Sequence, residues 1–228
     1  MALGSKLDAF FARYKYEYFG IAAVAITAGC MLVSALGFPG YSVLNHVVSE
    51  LGMASESPWA AIFNGGLIAG GILFFVFLWG TRTVMNSRLA NLGRHVGYIA
   101  AIGCSLVGVF PFDVNLWGHI ISSQMYFIGG LLAVLALSLA IWRQKEVKIG
   151  KWLSLVGVIV MGIFATFVIM LEVTMTSATA QSSLSGLYSM NIGLRPEFMV
   201  IAFFEWLDII GIIAWMCLFA LESLRKRR

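Results

Sequence analysis

The chain reads as an all-α polytopic membrane protein: six transmembrane helices, both termini cytoplasmic, and a short interfacial helix after the first span. Three observations predict this. Of the 228 residues, 60% are hydrophobic and 11% charged, whereas soluble domains carry about a quarter charged. Six runs approach or exceed the roughly 20 apolar residues a spanning helix needs: Phe19 to Phe38, Trp59 to Gly80, Val96 to Phe112, Trp117 to Trp142, Trp152 to Val173 and Phe198 to Leu221. Finally, every Lys and Arg except Arg195 lies before run one, between runs two and three, between four and five, or at the end. The positive-inside rule makes those segments cytoplasmic.

The amino end, residues 1–17, is too long and too charged for a cleavable signal peptide, so run one is read as a retained helix. Pro39-Gly40 stops it, since proline lacks a donor and glycine permits a turn. In Tyr41 to Ser57, Leu44, Val47, Val48 and Leu51 recur at helical spacing, which predicts a short helix ending at Gly52 with His46 and Glu50 on one face. Ser57-Pro58 supplies a cap and a first-turn proline for run two, with Asn64 just inside the outer leaflet. The third run is the shortest. Dropping it would leave five spans and break the charge alternation, so it is kept.

A very short outer loop, Pro111 to Gly118, makes spans three and four a tight antiparallel pair with Asp113, Asn115 and His119 at the join. Ser122, Ser123 and Gln124 open span four. The outer loop 174–196 is rich in Ser and Thr and long enough to serve as a lid. Pro196 fits the first turn of span six, which puts Glu205 roughly 13 Å and Asp208 roughly 18 Å into the membrane. The tail, residues 222–228, is basic. Residues 1–228 thus form a single domain of a multi-pass protein of the cell membrane.

The composition excludes several classes. The net charge of +4 comes from short clusters abutting helix ends, where they meet anionic headgroups, so the partners are membrane lipids and not nucleic acid. Cys30, Cys104 and Cys217 all lie inside spans, so no disulfide framework is indicated. No span holds an internal lysine for a retinal Schiff base. A haem between two histidines has only His46 with His119 to draw on. Trp59, Trp79, Trp117, Trp142 and Trp152 mark span ends as an aromatic belt, while Trp206 and Trp215 are internal.

The candidate chemistry gathers at the outer end. His46, Glu50, Asp113, His119 and Glu205 are the candidate acid/base set; Ser49, Asn64, Gln124, Asp208 and Trp206 are candidate substrate contacts. His46, His119 and Asp113 are of the residue types that hold a divalent metal such as zinc, but no HxxxH or HExxH motif occurs, and no cofactor is assigned. Ser49, one turn from His46, has the position of an activated nucleophile without a GxSxG context. The plain alternative for each histidine is an interfacial side chain bonded to a neighbour. For Glu205 and Asp208 it is a protonated acid with one interhelical hydrogen bond, to Asn64 or Thr166. A midplane carboxyl costs about 2.5 to 3.5 kcal/mol even on insertion scales, which favours a bundle-facing position with a purpose.

Ser49-Glu50-Leu51-Gly52, Pro58, Phe63-Asn64, Gly108-Val109-Phe110-Pro111-Phe112-Asp113, His119 and Glu205-Trp206, in that order, resemble the six-span DRAM and Sfk membrane-protein superfamily, especially its prokaryotic relatives of unknown function. The resemblance runs from about Phe19 to about Leu221 on short motifs. It implies lipid biology, since eukaryotic members are linked to lipid remodelling of membrane anchors, lipid asymmetry and autophagy, but it carries over no catalytic residues. The expected function is an outward-facing polar cavity that binds or modifies a lipid or other amphiphile, as a hydrolase or transferase if catalytic. A non-catalytic lipid-binding or regulatory protein is the alternative. A proton-coupled carrier using Glu205 and Asp208 is the third, and no inverted repeat supports it.

Overall fold

The computed structural model describes residues 14–145, 148–176 and 195–226. Among these residues, six helices are long and apolar enough to cross a membrane: α1 (Glu17–Gly37), α2 (Ala60–Gly80), α3 (Arg88–Val109), α4 (Leu116–Arg143), α5 (Trp152–Thr176) and α6 (Val200–Lys226). The described residues contain no strand. The helices pack in chain order, each against the next, and α6 closes against α1. The result is a ring.

Hydrophobicity does not bring helices together in lipid; close approach of small residues and interhelical hydrogen bonds do. Both hold this ring. A Cβ on Gly71 of α2 would stand 2.2 Å from Ser105 Oγ and 2.5 Å from the Ala101 carbonyl of α3, so the two backbones touch there. Ser105 Oγ also donates to the Ile68 carbonyl at 3.1 Å. Further round, Ser154 Oγ of α5 donates to Ser138 O of α4 at 2.7 Å, and Trp215 Nε1 of α6 to Leu153 O of α5 at 3.1 Å. Each such bond contributes about 0.6 kcal/mol. Apolar side chains such as Leu36, Ile121, Ile159 and Val173 face outward.

Three boundaries differ from expectation. The third span starts at Arg88, not Val96: Ser87 Oγ caps it by accepting from Ala90 N at 3.1 Å, and Arg94 is buried with its guanidinium donating to Met85 O. Two polar turns therefore precede the apolar stretch. The expected helix in 41–57 is confined to a 3₁₀ segment, Val48–Gly52, with His46 in the turn before it. The sixth helix begins at Val200, not Pro196. Met199 N donates to Leu44 O at 2.8 Å and Asn45 Nδ2 to Pro196 O at 3.1 Å, which holds 196–199 against the first outer segment. Glu205 therefore lies only about 8 Å and Asp208 about 12 Å into the helix, at 1.5 Å per residue.

Gly40 has φ +77°, in the left-handed region that favours glycine, and it reverses the chain after α1. Gly52 is needed for space, since a Cβ there would meet Asn64 Oδ1 at 2.4 Å. The three cysteines are free.

Candidate functional site

At one end of the ring the segment 41–57 lies across the bundle as a plug, and most of the predicted polar residues hold it there. Val48 N, at the start of the 3₁₀ helix, donates to Glu205 Oε2 at 2.8 Å. At the other end of that helix Asn64 Nδ2 donates to Gly52 O at 2.9 Å. Ser55 N donates to Asp113 Oδ2 at 3.0 Å. Isolated 3₁₀ turns are weak and their terminal groups lack internal partners, so these side chains from α2, α6 and the α3–α4 loop define where the plug sits.

The expected partners of Glu205 are thus corrected. Asn64 serves Gly52 instead, and Thr166 Oγ1 donates to Gly162 O in its own helix. The Glu205 carboxyl accepts from the Val48 N–H, a group at the start of the 3₁₀ turn that has no acceptor within the turn. Asp208, fully buried one turn further in, has no hydrogen-bond partner at either oxygen among the described residues.

Glu50 is fixed by a residue the sequence reading left out of the site. Arg195 Nη1 lies 3.0 Å from both Glu50 oxygens and 3.2 Å from Asn45 O. The side chains are 8% and 4% exposed, so the pair is buried. Burial pushes the Glu50 carboxyl up to about 7 although Arg195 pulls the other way. The signal was there: Arg195 is the lone cation among the outer acids. The rest of the expected lid, 174–194, lies outside the described residues or their described side chains.

His46 sits under aromatic rings, 4.9 Å from Tyr41 and 5.6 Å from Phe38 between centroids. Its Nδ1 is 2.7 Å from Asn45 Oδ1 and 3.2 Å from Ser42 N. Burial lowers its pKa, with the Arg195 charge second, which favours a neutral ring. No hydrogen bond joins it to Ser49, so the activated-nucleophile geometry is not formed. Tyr41 OH accepts from Trp206 Nε1 at 3.2 Å and donates to Val47 O at 3.2 Å; burial raises its pKa, and Glu205 adds to that.

His119 belongs to a second cluster. Its Nδ1 is 3.0 Å from Phe110 O, and its ring meets Phe112 edge-on at 5.5 Å. No ring contact or hydrogen bond links His119 with His46. Among the described residues no group of three or more His, Cys, Asp or Glu is placed to hold a metal. Gln124 Nε2 donates to Glu172 Oε1 at 2.7 Å, bridging α4 to α5 away from the plug's own bonds.

Beneath the plug a cavity of about 100 Å³ runs down the ring. Its walls are apolar, and its polar groups include Ser49, Glu205, Ser123 and Tyr126. Ser123 and Tyr126 fall in a stretch that periodicity alone marks only as spanning helix, and Tyr126 was missed. Along α2 the lining extends from Phe63 to Leu78, about 22 Å at 1.5 Å per residue.

A family model described as Protein of unknown function (DUF998) matches residues 21–222. The chain belongs to that family. The match starts within α1 and ends within α6, so the ring and the plug are both features of this DUF998 protein. No curated protein and no solved structure matches it.

Proposed function

We propose that this DUF998 protein is a multi-pass membrane protein that binds a single-chain amphiphile, with the tail in the ring and the polar head under the plug. The carrying observation is the cavity: long, narrow and apolar, with the Glu205 carboxyl among its few polar lining groups. Sites for small apolar ligands combine such walls with a few placed polar groups. The DRAM and Sfk resemblance, with its lipid biology, points the same way. Binding is favoured over hydrolysis or acyl transfer because Glu50, Asp113, Glu205 and both outer histidines are hydrogen-bonded or paired within the fold, and among the described residues no nucleophile is hydrogen-bonded to a histidine base.

The test is binding of a fluorescent fatty acid to the purified full chain, read by energy transfer from tryptophan. Ile213 lines the cavity, and Ile213→Trp fills it. The variant should fold, as judged by its unfolding midpoint, and lose binding by more than tenfold, which is about 1.4 kcal/mol. Glu205→Gln retains an acceptor for Val48 N and should keep the fold while changing head-group preference. If folded Ile213→Trp binds like the parent, the cavity is not the site.

A second reading draws on Asp208. Asp208 is buried with no hydrogen-bond partner among the described residues, proton relays are one role of intramembrane carboxyls, and a carrier would show proton uptake that Asp208→Asn abolishes.

A further inference from the structure

Among the described residues Glu205 is the one carboxyl in the wall of the amphiphile cavity, and that wall holds no Lys, Arg or His. The sequence offers little to neutralise it. Arg195 is the only Lys or Arg within residues 16–81, 96–142 and 152–224, and Glu50 already holds it, with both carboxyl oxygens 3.0 Å from Arg195 Nη1.

Asp208 adds a second acid. It follows Glu205 by three residues on α6, which sets the two on one flank with Cβ atoms about 5–6 Å apart. Asp208 is fully buried and stands outside the cavity wall, and neither of its oxygens has a hydrogen-bond partner among the described residues. One Glu205 oxygen, Oε2, is taken by Val48 N. The ion pairs between described residues, Arg195–Glu50 and Arg225–Glu222, involve neither acid. Two neighbouring carboxyls in a dry interior must stay neutral or meet a positive charge, because an unpaired buried ion is expensive. The fold brings no cation to them, whereas the cavity gives a ligand's own cation access to Glu205. A carboxylate head in that position would face like charge.

The hydroxyls of the wall decide the form of the cation. Ser49 belongs to the plug. Ser123 and Tyr126 lie about 10 Å and 15 Å into α4 from Leu116, against about 8 Å for Glu205 into α6 from Val200, at 1.5 Å per residue. All three line the cavity with Glu205, so acceptors gather towards the plug end, while the deeper wall, with Phe74, Leu78, Leu137 and Met216, is built of apolar side chains. A protonated primary amine is a compact charge with three donors, one for the carboxyl and two for hydroxyl oxygens. A trimethylammonium head has the charge but no donor.

We propose that the amphiphile is a single-chain primary amine, its ammonium held by Glu205 at the plug end, Asp208 as a second negative group behind the wall, and the alkyl tail running down the ring. This rests on the cavity being the amphiphile site and adds the chemistry of the head.

The test is competition against the fluorescent fatty acid, with the full chain in phosphatidylcholine nanodiscs and energy transfer from tryptophan as the readout. Hexadecylamine, hexadecanoate and hexadecyltrimethylammonium share one tail and differ in the head. In the parent the amine should displace the probe at about tenfold lower concentration than either of the others. Glu205→Gln, folded as judged by its unfolding midpoint, should bring amine and hexadecanoate to within about threefold of each other, since tail and bilayer are unchanged. Should that variant not fold, Asp208→Asn, which has no hydrogen bond to lose among the described residues, should cut the preference for the amine by about threefold or more. Three results overturn the proposal: amine and hexadecanoate competing equally in the parent, the trimethylammonium head competing as well as the amine, or a preference that survives unchanged in the folded variant. A parent that binds no probe at all overturns the amphiphile reading and this proposal with it. A parent that binds the probe without preferring the amine overturns this proposal alone.

Discussion

Replacing Arg195 by alanine leaves Glu50 buried without its cation, and the size of the effect should depend on pH in a direction the structure fixes. Arg195 Nη1 contacts both Glu50 oxygens and Asn45 O, and the pair is almost fully shielded. An uncompensated buried charge costs about 3–5 kcal/mol, whereas loss of the bonds to a protonated acid costs about 1–2 kcal/mol. In the parent, burial raises the Glu50 pKa from 4.5 to about 7. A folded pKa above the unfolded one means that the group's stabilisation is complete below about 4.5 and is lost as pH rises through about 7. Without Arg195 the folded pKa moves higher still, so the variant's deficit should grow from about 1–2 kcal/mol near pH 5 to about 3–5 kcal/mol near pH 9. Unfolding in mixed micelles, followed by tryptophan emission across that range, measures it. The double variant Arg195→Ala/Glu50→Gln removes the stranded charge and should recover most of the loss at high pH. A deficit that stays flat with pH, or a double variant as unstable as the single one at high pH, would refute the reasoning.

Three further outcomes follow from the geometry. Ser87→Ala removes the cap on Ala90 N and should lower stability by about 1 kcal/mol in the same assay, with little change in helix content. Gly71→Ala drives a methyl against the Ala101 carbonyl at 2.5 Å and should destabilise by about 1–3 kcal/mol because backbone must move; an unchanged midpoint would mean the α2–α3 contact is looser than drawn. Cysteines placed at the exposed positions Ser55 and Asn115 should react with a membrane-impermeant maleimide from outside intact cells, while one at exposed Ser87 should not. Labelling in the reverse sense would invert the orientation drawn from the charge pattern.

The six spans were legible because apolar length is a local property of the chain, and the basic segments punctuate it. The start of α6 was not, because it depends on Asn45 and Leu44 meeting Pro196 and Met199 from more than 150 residues away in the sequence. The same holds for the site. His46, Glu50, Asn64, Asp113 and Glu205 stood out as polar residues near one end, but their roles as holders of the plug rest on backbone groups that carry no sequence signal. Arg195 could have been inferred as a counter-charge for Glu50, whereas the carbonyls that hold each histidine ring, Ser42 O for His46 and Phe110 O for His119, could not, since backbone acceptors carry no sequence signal.

The closing contact of the ring joins α6 to α1, the two of the six helices that lie farthest apart in the sequence. Glu205 on α6 also supplies the acceptor for Val48 N in the segment that follows α1. Before α6 is in place the ring is therefore open sideways between α5 and α1, and the plug is held by Asn64 and Asp113 but lacks its Glu205 anchor. A lipid already lying in that opening would be enclosed as the ring shuts, without ever threading past the plug. For the amphiphile proposed above, assembly itself would then be the simplest loading step, and the occupant of a newly made molecule would report the composition of the membrane in which it was built.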